Sequence, residues 1–137
     1  MKRIIALTLC LFVALAATAM AKTLTIGTLS PITGPYAADG NDIANGARTA
    51  VEMFLEQGGI PGYDTIEVVS EDSACDPRQA VAAANKLLSM EVAAVVGAYC
   101  SSATIPSSEV LDEGPIPMIT PASTNPDVTL RGLEHMY

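Results

Sequence analysis

The 137 residues carry 15 acidic against 7 basic side chains, a net charge of −8 at pH 7, and only 4% are aromatic. So acidic a chain is a poor partner for nucleic acid and is repelled by anionic membrane surfaces. Its length suits one modest domain, and its composition is that of an ordinary globular protein without pointing to a substrate.

The N-terminus has the three-part pattern of a secretory signal peptide. Lys2 and Arg3 are followed by an apolar run over 4–17 and by small residues at Ala19 and Ala21. The apolar run is short for a membrane span, and no later segment resembles one. Export with cleavage after Ala21 is expected, giving a mature chain of residues 22–137 with no membrane insertion afterwards. Cys10 leaves with the signal. Leu9 precedes it where a lipoprotein signal has a small residue, so Cys10 is not read as an acylation site.

The pattern of the mature chain alternates strand and helix. Residues 23–29 alternate as a first strand, and 30–35 make a loop. A helix is expected from about residue 39 to 57, with Ile43, Ala47, Ala50, Val51 and Phe54 as its buried stripe. Gly58-Gly59 stops it. A second strand spans 65–70. Asp76 then caps a helix that has Pro77 at its first position and Ala80, Val81, Ala84, Leu87 and Leu88 on its apolar face. The continuous apolar run 92–98 reads as a strand covered on both faces. A short helix over 102–112, a strand over 117–119 and a turn-rich loop over 120–126 follow. Met136-Tyr137 looks like the entry to a further strand. The alternation implies an α/β fold, a parallel sheet flanked by helices with right-handed crossovers. Ending at a strand entry, the chain reads as an incomplete unit.

Cys75 and Cys100 each sit just past an apolar run, 66–70 and 92–97. If those two strands lie side by side, the cysteines are close enough to bond, and an oxidising compartment favours the disulfide. Ser101 and Ser102 follow at the edge where open α/β sheets bind ligands. There is no phosphate loop, so no nucleotide cofactor is expected. Ser101 lacks the flanking glycines of a hydrolase elbow, although a secreted α/β hydrolase is the enzymatic alternative. His135 is read as a surface or packing residue. No ligand pair has metal-type spacing. The hydroxyl clusters Ser101-Ser102 and Ser123-Thr124 have two readings. They cap a helix and form a turn, or they meet at neighbouring strand ends as a neutral polar pocket for the carboxylate of a small ligand.

Several segments together resemble the leucine/isoleucine/valine-binding proteins of bacterial import systems. They are Asp72-Ser-Ala-Cys75-Asp-Pro-Arg-Gln-Ala-Val-Ala-Ala-Ala-Asn85-Lys, Cys100-Ser-Ser102, Met118-Ile-Thr-Pro-Ala122-Ser-Thr124, Pro31-Ile-Thr-Gly34-Pro35 and Gly58-Gly-Ile-Pro-Gly62. The resemblance covers nearly all of 22–137. It implies a periplasmic solute-binding protein that captures branched-chain or related amino acids for the permease subunits of an ABC importer, without catalysis. The same fold binding amides or urea, or serving as a sensor ectodomain, is the alternative. It implies that the two cysteines are bonded, that Ser101 and Thr124 hold the ligand carboxylate, and that the Ala122 carbonyl takes the ammonium. Ser102 and Tyr99 are counted with them as ligand-binding residues. It also implies two lobes, of which this chain is part of the first, with a carboxylate for the ammonium coming from the second. One position departs from the family pattern. Asp39 stands where family members can place a tyrosine, and Tyr36 comes earlier, which leaves the choice of amino acid open.

Overall fold

In the computed structural model residues 21–137 are described, so the signal-peptide reading falls almost entirely outside the described residues. Strand β1 (Thr23–Ser30) and strand β2 (Thr65–Asp72) pair in parallel over eight residues, from Thr23 opposite Thr65 to Ser30 opposite Asp72. Strand β3 (Ala94–Gly97) lies on the other side of β1, and β4 (Met118–Ile119) on the far side of β3. The sheet order is β2-β1-β3-β4, all parallel. Helix α1 (Ala37–Glu56) joins β1 to β2, α2 (Pro77–Ser89) joins β2 to β3, and α3 (Ser101–Glu113) joins β3 to β4.

The step from β1 to β2 runs one way across the sheet and the later steps run the other way. With right-handed crossovers, α1 therefore covers one face and α2 and α3 the opposite face. Side chains agree with the two-residue period of a strand. Leu24, Ile26 and Ile66 face Ala50, Val51 and Phe54 of α1. Gly27 faces Leu87 of α2, so closely that a Cβ there would lie 2.9 Å from a Leu87 methyl. The main core is on the α2/α3 side, where Leu29, Leu87, Val95, Leu111 and Met118 are fully buried. Alanines at 80, 83 and 84 let α2 approach the sheet. Its start is fixed as expected, with the Asp76 carboxylate accepting from the Arg78 and Gln79 amides at 2.9 and 2.8 Å.

Four expectations are corrected. First, the strands that precede the two cysteines are not neighbours, because β1 lies between them. Second, α1 begins at Ala37, ahead of Asp39, and Tyr36 at its N-cap makes no side-chain cap bond. The Asn41 amide donates back to the Ala37 carbonyl at 2.6 Å, which places Asn41 inside the helix. Third, the stripe on α1 is only partly buried: Gly40 and Ala44 are buried, Ile43, Ala47 and Val51 are half-buried, and Ala50 and Phe54 are exposed. Gly40 packs onto the Pro31 carbonyl so tightly that a Cβ would collide with it. That contact seats the start of the helix, while its C-terminal half stands over an apolar recess against β1 and β2. Fourth, β2 reaches Asp72 and β3 is confined to Ala94–Gly97, because the register with β1 sets both lengths.

The strand entry expected at the chain end is present. Met136 bridges Met118 in parallel, with Met118 N–H donating to His135 O at 2.8 Å and Tyr137 N–H to Met118 O at 2.9 Å. Among the described residues the unpaired edge of the sheet is β2. No described helix is long and apolar enough to cross a membrane.

Candidate functional site

The strand order reverses between β1 and β3, so the loops leaving their C-terminal ends diverge to opposite faces, which is where open α/β sheets form a ligand crevice. The β1 side contributes the loop after Ser30 and the first turn of α1. The β3 side contributes Tyr99, Cys100 and the first turn of α3. The β4 side contributes the loop after Ile119.

Ser101 is the first residue of α3, with Cys100 at the N-cap and no side-chain cap bond there. Its hydroxyl does not serve its own helix. It accepts from the backbone N–H of Thr124 and of Asn125, each at 3.2 Å. A hydroxyl has two acceptor positions and one donor, so with both acceptors filled the O–H is left to donate outward. Thr124 and Ala122 are exposed on the same loop. Ser101, Ala122 and Thr124 are thus brought together. Ser102 is turned away from them, its hydroxyl donating to the Cys75 carbonyl at 3.4 Å.

The loop 120–125 is held by Ser123 and by two hydroxyls that the sequence did not single out, Thr104 and Thr120. The Ala98 carbonyl, just beyond β3, lies 2.7 Å from the Thr120 hydroxyl, 3.1 Å from that of Ser123 and 3.3 Å from that of Thr104, and accepts from Thr120 and from whichever of the other two keeps its proton for it. Thr104 and Ser123 also bond each other at 2.6 Å. Ser123 is therefore a support, and Thr124 beside it is the exposed member. The signal that could have found Thr104 is weak: a threonine one turn into a helix that starts at a strand end.

Cys75 and Cys100 are bonded, with Cα atoms 5.4 Å apart, within the ordinary disulfide range. They meet although their strands are not adjacent. The turn after β2 folds over the end of β1, with Ser73 N–H donating to the Ser30 carbonyl at 3.0 Å, and carries Cys75 across.

Asp72 organises that corner. Its carboxylate accepts from the Ile32, Thr33 and Ala74 amides and from the Thr33 hydroxyl, at 2.8, 3.3, 2.9 and 2.5 Å. Burial pushes its pKa up, but the Thr33 hydroxyl and the three amides together outweigh it and hold the carboxyl below its usual range. Across the crevice, Tyr36 and Tyr99 stack with ring centroids 5.7 Å apart, tilted by 43°. The Asp39 charge, burial, a hydrogen bond to Asp39 and the nearby Tyr36 keep the Tyr99 phenol above its ordinary value.

His135 lies elsewhere. Its Nδ1 is 2.9 Å from Asp112 near the end of α3. Eleven residues of helix, about 16 Å at 1.5 Å per residue, separate Asp112 from Ser101. The single histidine of the chain cannot serve Ser101 as a base.

A family model described as "Periplasmic binding protein" matches residues 23–136. The chain belongs to the periplasmic binding protein family. A Pseudomonas aeruginosa protein named "Amino acid binding protein" is 51% identical over 113 residues, 82% of this chain and 30% of that one. A Brucella melitensis protein named "Leu/Ile/Val-binding protein homolog 3" is 40% identical, covering 83% of this chain and 31% of its own length. Among solved structures, a branched-chain amino acid transporter substrate-binding protein from Streptococcus pneumoniae, in complex with isoleucine, superposes with a TM-score of 0.71 at 33% identity. The match covers 77% of this chain and 30% of that one. This periplasmic binding protein chain thus spans about a third of the length of the relatives it matches. The family is one of solute-binding proteins and not of enzymes. The fold expected from the sequence, a parallel sheet with helices on its faces, is that of these neighbours.

Proposed function

We propose that this chain is the N-terminal part of the first lobe of a periplasmic solute-binding protein. The protein captures a branched-chain or related amino acid and presents it to the membrane permease of an ABC importer. The observation that carries the proposal is Ser101. Its hydroxyl sits at a strand end beside the uncapped start of α3, its acceptor positions filled and its O–H free to donate. Unfilled helix amides and an outward hydroxyl favour an anionic group without carrying net charge themselves.

In this reading the ligand carboxylate accepts from the Ser101 and Thr124 hydroxyls, and its ammonium donates to the Ala122 carbonyl. Tyr99 lines the crevice beside them. Ser102 stands outside the first contact, holding the Cys75 turn. The counter-charge for the ammonium comes from a second lobe that closes over the ligand. No bond is made or broken: filled acceptor positions on Ser101 Oγ and a distant histidine leave nothing to activate a nucleophile. The protein is exported, with residues 1–21 removed.

Calorimetry on the complete exported protein tests the proposal, with leucine, isoleucine, valine, urea and acetamide as titrants. Saturable one-to-one binding of an amino acid is expected. Binding of urea or acetamide alone would move the reading to the amide-binding variant of the same fold. A folded protein that takes up neither class would overturn it. The mature N-terminus, read by mass spectrometry, is expected at Lys22.

A further inference from the structure

At the end of the sheet away from the crevice, Lys22 stands one step before β1 and Asp64 one step before β2. The two are bonded in both directions. The Lys22 backbone nitrogen donates to Asp64 Oδ2 at 2.6 Å, and the Asp64 N–H donates to the Lys22 carbonyl at 2.8 Å. The Lys22 Nζ lies over the ring of Tyr63, 4.4 Å from its centroid. A turn holds Tyr63 and Asp64 in place. The Tyr63 N–H donates to the Ile60 carbonyl at 3.1 Å, and Gly62 takes a φ of 91°, which favours glycine.

We propose, resting on the export reading above, that Tyr63 and Asp64 form a binding site for the protein's own mature N-terminus. Hydrolysis of the Ala21–Lys22 peptide bond places the hydroxyl of water on the Ala21 carbonyl carbon and its remaining proton on the Lys22 nitrogen. That amine takes one more proton from solvent and is an ammonium at neutral pH. Lys22 then carries two cations, and each has a partner in place. The Asp64 carboxylate meets the α-ammonium, and the face of Tyr63 meets the ε-ammonium. Cleavage thus turns a neutral amide donor into a charge-assisted one at the same spot. The return bond from Asp64 N–H to the Lys22 carbonyl fixes where that nitrogen sits. A chain end is ordinarily loose unless something ties it down. Here the tie is the charge that cleavage itself creates. A terminus one residue longer carries its ammonium about 3.8 Å further along the chain, and a terminus one residue shorter has lost both cations.

The experiment is trimming of the complete exported protein by an aminopeptidase that accepts lysine, followed by mass spectrometry. The starting terminus is read first. A terminus other than Lys22 would overturn the cleavage reading and this site with it. From a Lys22 terminus, Asp64→Asn is expected to speed removal of Lys22 roughly two- to fivefold, the range of an exposed ion pair. Tyr63→Leu should speed it as well. Asp64 is exposed, and thermal melts would check that each variant is folded. A serine inserted between Ala21 and Lys22 moves the ammonium off Asp64 and leaves an amide there. In that form Asp64→Asn should not change the rate at which the serine is removed. Equal trimming of wild type and either variant from a Lys22 terminus would overturn the site while the cleavage reading stands. An equal effect of Asp64→Asn with and without the inserted serine would overturn it too, because Asp64 would then support the start of β2 and not hold a charge.

Discussion

At the residue scale, Ser101 and Asp72 do different work with similar geometry. Ser101 collects two backbone donors and keeps its own proton available. On the proposed carboxylate contacts, replacing Thr124 by valine removes one donor to a charged ligand, and replacing Ser101 by alanine removes one and also frees the Thr124 and Asn125 amides. One such donor is worth about 1.5 to 3 kcal/mol, or roughly 10- to 150-fold in affinity. Calorimetry on the complete protein should show that loss, with the thermal midpoint nearly unchanged. Affinity within about twofold of wild type for both variants would reduce these hydroxyls to turn formers. Asp72 instead holds structure together. Its folded pKa lies below the unfolded value near 3.8, so the carboxylate stabilises the fold above that value. The contribution fades as pH falls through the lower folded pKa. Asp72→Asn should cost about 1 to 3 kcal/mol at neutral pH. In urea melts from pH 7 to pH 3, the gap to wild type should narrow below pH 4. A constant gap across that range would show that its hydrogen bonds do not depend on the charge.

At the element scale, the Cys75–Cys100 bond joins the turn after β2 to the start of α3 and so spans the crevice floor over the end of β1. It closes a loop with a sequence separation of 25. On the chain-entropy model such a loop is worth about 3 to 4 kcal/mol through the unfolded state. Peptide mapping of the exported protein without reduction should recover the linked pair, and Cys75→Ala/Cys100→Ala should lower stability by about that amount. Two alkylatable thiols in the exported protein would overturn the expectation. The loop 120–125 depends on a second device, the Ala98 carbonyl shared by Thr104, Thr120 and Ser123. Thr120→Val should therefore weaken ligand binding without touching the ligand, because it loosens the loop that carries Ala122 and Thr124.

At the scale of the whole molecule, two surfaces stand open. The outer edge of β2 has no partner among the described residues, and Phe54, Leu55 and Met53 of α1 are exposed, Phe54 by 46%. An unpaired edge beside exposed apolar side chains invites association. The segment 22–137 on its own is expected to self-associate and to bind no amino acid at micromolar concentrations, because half a crevice leaves the ammonium without a counter-charge. Sedimentation and calorimetry on that segment would check both. Tight one-to-one leucine binding by a monomer would contradict the two-lobe reading.

The sequence by itself determined the fold class, the order of the four strands and three α-helices along the chain, and the cap at Asp76. These are local matters of period, propensity and turn chemistry, and they are written within a few residues of where they act. It also located Cys75, Cys100, Ser101 and Thr124, because strand ends in a parallel sheet are readable from where apolar runs stop. Tertiary structure alone decided the strand order. Pairing depends on which face each crossover takes, so the cysteines meet over β1 and not across adjacent strands. It decided that Ser101 serves the 120–125 loop and not its own helix, that Ser123 supports while Thr124 is exposed, and that Tyr36 meets Tyr99. Each of these is a contact between segments far apart in the chain, set by the register with β1 and by one tight approach of Gly40 to Pro31, and no local pattern encodes it.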